Sequence, residues 1–320
     1  MQDSRQQPIE ADVTGTKQPI TVEITDRREH NMYHSIKDII NICDAEDKPF
    51  WQVVMESDVR ERGVSAEDSY AAMAALYEAM KRADNDYDPA LRSASGLAGG
   101  DGEKLRSYNK SGKNICGDFI GSVMEKAVKM GESNACMRRI VAAPTAGSCG
   151  VIPAVFITAQ EKLGLDDESM VHAMYISAGI GNVIAENASI AGASGGCQAE
   201  IGSASAMAAA GLAGLQGGDA RTMAQAAALA LKNMLGLACD PVCGLVEVPC
   251  VKRNVAGAVN AVTSAQMALA GIQSAIPVDE VIDAMRRIGA GMSEDIRETA
   301  GGGLATTPTA LEIKQKLKNS

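Results

Sequence analysis

Apolar residues recur at helical spacing through most of the chain. Residues 34–42 carry Ile36, Ile39 and Ile40 as a short stripe, and Ser65-Ala66-Glu67-Asp68 reads as a helix start before Met73, Leu76, Tyr77 and Met80. Asp118 precedes Ile120, Val123, Ala127 and Val128, with Gly131 as the expected stop. Further helices are expected over 152–163, 169–178, 200–215, 221–237, 254–272, 279–288 and 309–317. Asp219 and Asp279 read as N-caps, and Gly164 and Gly289 as stops. Residues 87–101 read as irregular. Sustained period-2 alternation, hairpin dipeptides between apolar runs and a repeat of fixed length are all missing from the pattern. It therefore predicts a mainly α fold, a multi-helix domain whose glycine-rich loops carry the candidate chemistry.

Composition sharpens this picture. In 320 residues, hydrophobic types make up 46% but aromatics only 3%, so the core must be built from Ala, Leu, Ile, Val and Met. With 32 Gly and 16 Met, close helix packing through small residues is expected, with Met filling gaps. A net charge of −10 argues against nucleic-acid binding, which needs a basic footprint. Residues 1–33 are polar and read as a disordered tail, with 34–320 as the helical domain. The start lacks the apolar core of a signal peptide, and the weakly polar stretch 204–215 is too short to cross a bilayer. Eight cysteines in such a chain read as thiols or ligands of a cytoplasmic protein, without a disulfide framework or a membrane.

Two features could carry chemistry. The first is the loop Ala143-Pro144-Thr145-Ala146-Gly147-Ser148-Cys149-Gly150, which leads into an apolar run. Its small residues let backbone N–H groups approach an anion, and Thr145 and Ser148 add hydroxyls; plain helix capping is the competing reading. The lysine of a phosphate-binding P-loop is missing. The second is the trio Cys197, Cys239 and Cys250, each in a glycine- or proline-rich turn. Thiolates on rigid loops can converge on one metal centre, and three ligands leave one position open for Lewis-acid chemistry. Read locally, each is equally a small buried side chain, the reading expected of Cys43, Cys116, Cys136, Cys149 and Cys243. The spacing from Cys239 to Cys243 is not that of a zinc ribbon. Among three histidines, His172 reads as structural and His30 and His34 sit at the tail's edge, so no convincing general base is evident.

From about residue 35 to its end, the chain closely resembles the α chain of the bacterial iron–sulfur-dependent L-serine dehydratases. The resemblance rests on Ala143 to Ser148, on Asn187-Ala188-Ser189-Ile190 running to Gly195-Gly196-Cys197-Gln198-Ala199-Glu200, and on Leu235-Gly236-Leu237-Ala238-Cys239-Asp240-Pro241. Gly244 to Asn254, Arg297-Glu298-Thr299 and Gly302-Gly303-Leu304-Ala305 carry it further. The gaps of 42 and 11 positions between the three cysteines match the cluster ligands of that family. The resemblance implies a [4Fe–4S] cluster on Cys197, Cys239 and Cys250, with one iron free of protein thiolate and no pyridoxal phosphate. It implies a carbon–nitrogen lyase of amino-acid degradation that converts L-serine to pyruvate and ammonia. Thr145, Ala146, Gly147 and Ser148 would grip the substrate carboxylate. Asn187, Lys252, Arg253 and Arg297 would orient substrate or place N–H donors near cluster sulfurs. Cys149 and Cys243 stay outside the ligand set. A β chain is the implied partner in an oligomeric enzyme and the expected source of the base. The alternatives are the same chemistry on threonine or cysteine, or a non-catalytic helical scaffold with structural zinc.

Overall fold

A computed structural model describes residues 32–319. The expected tail falls outside them apart from Met32 and Tyr33, whose ring is buried in the core. Thirteen α-helices make up most of the described residues, and the only β pairing among these is a single parallel bridge between Cys239 and Arg297. The order begins α1 (Ile36–Glu46), α2 (Phe50–Arg62), α3 (Ala66–Asn85), α4 (Asp101–Lys110) and α5 (Gly117–Ala135). It continues with α6 (Val151–Leu163), α7 (Asp167–Asn187), the single turn α8 (Gly192–Gly195), α9 (Ser203–Leu215) and α10 (Ala220–Asn233). The last are α11 (Cys250–Leu269), α12 (Val278–Gly291) and α13 (Pro308–Asn319). No helix among the described residues is long and apolar enough to cross a membrane.

The centre is α9, whose residues from Ser203 to Ala213 are all buried. Such a helix has no polar face to show, which explains the sequence SASAMAAAGLAGL. Its short side chains let α6, α7, α10 and α11 pack against it on several sides. One π-helical turn, Gln198–Gly202, runs directly into it and connects the core to the Cys197 loop.

Several expected boundaries hold, and others move for identifiable reasons. Ser65 and Asp219 cap α3 and α10 by accepting from the N–H groups of Asp68 and Thr222, and Gly164 ends α6 at φ 68°. Asp279 does not cap its own helix. Its carboxylate accepts instead from the N–H groups of Ile36 (2.8 Å) and Lys37 (3.0 Å), at the start of α1. Gly131 does not stop α5; a Cβ there would stand 3.1 Å from Val251 Cα, so the glycine is what lets α11 approach. Gly289 likewise lies within α12 and packs on Gly195. Helix α10 ends at Asn233, short of the expected 237, because Gly236 at φ 81° belongs to the following loop.

Besides the single turn α8, two helices were not expected. Phe50, Val53, Val54 and Ser57 form the buried stripe of α2 at spacings that were legible. Helix α4 shows little apolar pattern, and its N-terminus is held from a distance. Glu132 of α5 accepts from the N–H groups of Gly99 (3.1 Å), Asp101 (2.8 Å) and Gly102 (3.1 Å), and from the Tyr87 hydroxyl.

Candidate metal centre

Cys197 and Cys239 come together from different local structures, and Cys250 lies outside that close group but near enough for its thiol to act electrostatically on Cys239. Cys197 follows Gly196, which takes φ 73°, and precedes the π turn. Cys239 lies in the lone bridge: its N–H donates to Ile296 O and its carbonyl accepts from Glu298 N–H, both at 2.8 Å. Cys250 is the first residue of α11, so it sits on a helix terminus and not in the turn expected for it. All three are buried. Gln198 fastens the first two loops together: Gly236 N–H donates to its Oε1 (2.9 Å), its Nε2 donates to Met285 O (3.0 Å), and its own N–H donates to Leu237 O (3.1 Å).

The Sγ atoms of Cys197 and Cys239 and a carboxylate oxygen of Glu200 all lie within 4.8 Å of one another. Donation from the Cys239 thiol, with the Arg253 guanidinium beside it, holds Cys197 below the ordinary thiol range despite its burial. Cys239, the donor of that pair and itself desolvated, is pushed up. Burial pushes the Cys250 thiol up to about 12, with Cys197 and Glu200 adding to the effect. A thiol drawn toward ionisation among neighbours that resist it marks a cavity short of positive charge. A cation bound there would favour the thiolate form of all three. Soft, convergent, buried sulfur ligands of this kind fit a thiolate-bound metal centre.

Arg253 completes the sulfur environment. Its Nη1 donates to Cys197 Sγ (3.4 Å) and Ala238 O (2.7 Å), and its Nη2 to Asp240 Oδ1 (2.9 Å). Asp240 in turn accepts from Leu304 N–H at 2.8 Å. Donors aimed at ligand sulfurs orient the ligands and tune the centre they hold.

The Thr145–Ser148 loop comes to the same centre. Thr145 Oγ1 donates to Glu200 Oε1 (2.7 Å) and lies 3.1 Å from Ser148 Oγ, which accepts from Thr145 N–H. A Cβ on Gly147 would stand 2.8 Å from Glu200 Oε1, so a larger residue there would displace that carboxylate. The buried Asn254 ties the loop to α11, accepting from Gly150 N–H (2.8 Å) while its Nδ2 donates to Gly147 O (2.9 Å) and Cys250 O (3.0 Å). Replacing Asn254 with Ala leaves the buried Gly150 N–H without its acceptor, which costs about 1–3 kcal/mol. Urea unfolding is expected to show this loss, and a change below a few tenths would contradict the role given to Asn254.

The other candidates lie elsewhere. Lys252 points away to Asp101 (2.6 Å) and lines an apolar cavity of about 570 Å³ with Leu105, Tyr108 and Val255. Asn187 donates to the carbonyls of His34 (2.7 Å) and Val183 (3.1 Å) at the end of α7. Arg297 lines a cavity of about 400 Å³ beside the Cys197 loop with Ser189, Ser194 and Gln198, and its Nε is buried with no hydrogen-bond partner among the described residues. Cys243 is half-buried at φ 60°, outside the convergent group. Of the five cysteines expected to be buried, Cys43 and Cys149 are. Cys116 is exposed just before α5, while Cys136 and Cys243 are half-buried in loops.

Glu200 is the site residue that sequence reading missed. Its signal was its place three positions after Cys197, which puts both on one side of a helical turn. Burial lifts its carboxyl above the usual range; the Thr145 hydroxyl opposes this and Glu298 adds to it.

The profile described as "Serine dehydratase alpha chain" matches residues 45–305. The probable L-serine dehydratase alpha chain of Bacillus subtilis (strain 168) is 46% identical over 286 residues, covering 89% of this chain and 95% of that one. The L-serine dehydratase alpha chain of Peptoniphilus asaccharolyticus is 40% identical over 285 residues, covering 89% and 98%. The L-serine dehydratase of Helicobacter pylori (strain ATCC 700392 / 26695) is 35% identical over 286 residues, but these make up only 62% of its length against 86% of this chain. A match over so much of the chain makes this protein a member of the serine dehydratase alpha chain family.

Proposed function

We propose that this chain is the α subunit of an L-serine dehydratase, a carbon–nitrogen lyase that converts L-serine to pyruvate and ammonia with a [4Fe–4S] cluster held by Cys197, Cys239 and Cys250. The observation that carries the reading is the approach of the buried Cys197 and Cys239 thiols, with the Arg253 guanidinium on Cys197 Sγ and the buried Cys250, at the start of α11, near enough to act on their charges. Three protein thiolates leave one iron of such a cluster free, and when bound it supplies the Lewis acid for the serine hydroxyl.

The chain's own residues bind and orient. Internal bonds of the 145–148 loop engage the N–H groups of Thr145 and Ser148 and leave those of Ala146 and Gly147 to other partners. These two are the donors for the substrate carboxylate, with Ser148 and Asn254 holding the loop in shape. Arg253 donates to Cys197 Sγ and, with donation from Cys239, favours its thiolate form. Arg297, in the neighbouring cavity, guides the carboxylate inward.

The α-proton needs an acceptor, and the described histidines are committed elsewhere: His34 Nδ1 lies 2.7 Å from Glu186, and His172 stacks on Trp51 at 3.8 Å. A partner β chain supplies that base in this reading. The extra length of the Helicobacter pylori relative, beyond the part this chain matches, is in keeping with such a second part.

Anaerobic co-expression with a β chain tests the proposal by release of 2-oxo acid from L-serine, L-threonine and L-cysteine. Serine is expected to be the preferred substrate. An iron-loaded complex that leaves serine unchanged, or protein containing zinc and no iron, contradicts it.

A further inference from the structure

Glu200 has a place at this centre that the cluster and the carboxylate-binding loop do not explain. Its Oε1 is taken by the Thr145 hydroxyl, but its Oε2 faces the space beside Gly192. A Cβ built on Gly192 would stand 2.9 Å from Glu200 Oε2, 3.1 Å from Glu298 Oε2 and 3.2 Å from Cys239 Sγ. Two carboxylates from distant segments therefore meet next to the thiols, where a glycine leaves room between them. Glu298 reaches this place from a residue at φ 65°, a conformation that side-chain-bearing residues rarely adopt, and its N–H is bonded to Cys239 O. Among the described residues no lysine, arginine or histidine forms an ion pair with either carboxylate. Arg253, the cation at the centre, is already committed to Asp240, Ala238 and Cys197. A half-buried carboxylate beside a second one, with no cation, calls for a positively charged ligand.

We propose that Glu200, assisted by Glu298, receives the α-ammonium group of the amino-acid substrate. The inference rests on reading the chain as an amino-acid dehydratase and names how that site recognises its substrate. An α-amino acid carries its carboxylate and ammonium on one carbon. In that reading the Ala146 and Gly147 N–H groups take the carboxylate, and the Gly147 backbone lies directly against Glu200. A carboxylate bound there is repelled by Glu200 unless its own ammonium lies on the Glu200 side. That requirement fixes which way the hydroxymethyl group points and rejects hydroxy acids that lack nitrogen.

The test uses the iron-loaded complex with its partner chain and two probes, L-serine and 3-hydroxypropanoate, which keeps the carboxylate and hydroxyl but has no ammonium. In Glu200→Gln, which can still accept from Thr145, KM for L-serine is expected to rise about 10- to 100-fold, the range for losing one charged hydrogen bond. The iron content and visible absorption should stay as in the wild type, inhibition by 3-hydroxypropanoate should strengthen because the repelling charge is gone, and kcat should change much less than KM. Glu298→Gln should show the same pattern to a smaller extent, and serves if the first variant does not fold. Equal weakening of both probes, an unchanged KM for serine, or a collapse of kcat alone overturns the proposal. So does loss of iron in Glu200→Gln, which makes Glu200 a metal ligand. A wild-type complex that does not act on L-serine overturns the dehydratase reading instead, and this inference with it.

Discussion

Serine in place of Cys197 is expected to abolish iron retention and serine deamination together while leaving the helical fold intact. The substitution exchanges a polarisable thiolate, favoured by the Arg253 guanidinium and by donation from Cys239, for a hydroxyl that stays protonated. Loss of a residue that only supports a ligand costs about 10- to 100-fold in metal affinity; loss of the ligand itself should exceed that. The loop's architecture survives, because Gln198 and its bonds to Gly236, Met285 and Leu237 are untouched. Cys239→Ser and Cys250→Ser should behave alike. Cys243→Ser should keep both iron and activity, since that side chain is half-buried and, unlike Cys250, is not among the groups acting on the Cys197 and Cys239 thiols. Iron and sulfide per chain, measured on anaerobic protein, decide the matter, and loss of iron in Cys243→Ser would sink the ligand assignment.

Arg253→Met is the second large effect. The guanidinium forms three bonds at once, and its removal leaves Asp240 buried without its cation. Breaking a buried pair from one side costs about 3 to 5 kcal/mol, far more than the pair's net worth. Asp240 also accepts from Leu304 N–H, so the C-terminal loop should loosen with it. Arg253→Lys should recover only part of the loss, because a single ammonium cannot span Asp240, Ala238 and the sulfur. Denaturant unfolding of the variants measures the stability, and the rate of cluster bleaching in air measures the sulfur's environment. A stability change under about 1 kcal/mol in the Met variant would show that the pair carries little.

The helices were legible wherever the chain writes its own periodicity and its own caps. Ser65, Asp219 and Gly164 act on the helices they flank, and local pattern finds them. Helix α4 was missed because Glu132, some thirty residues away in sequence, supplies its N-terminal acceptors. Asp279 was misplaced for the matching reason, since it caps α1 from the other end of the chain. Gly131 and Gly289 read as stops because nothing local distinguishes a terminating glycine from one that admits a neighbouring backbone.

The centre divides in the same way. The cysteines stood out by their turns and by the family spacing. Arg253 and Lys252 are neighbours in sequence, yet a step of about 100° around the helix turns one to Cys197 and the other to Asp101. Glu200 was hidden because a glutamate in a helical run usually faces water. Its role depends on Thr145, Gly147, Gly192 and Glu298, which only the fold brings together.

The central claim is that Cys197, Cys239 and Cys250 hold a four-iron cluster whose remaining iron is open to substrate. Mössbauer spectroscopy of ⁵⁷Fe-loaded anaerobic complex, with and without L-serine, tests it most directly. The account predicts that serine shifts the signal of one iron site and leaves the others in place. Spectra that serine leaves unchanged at every iron, or a signal without a cluster, would contradict it.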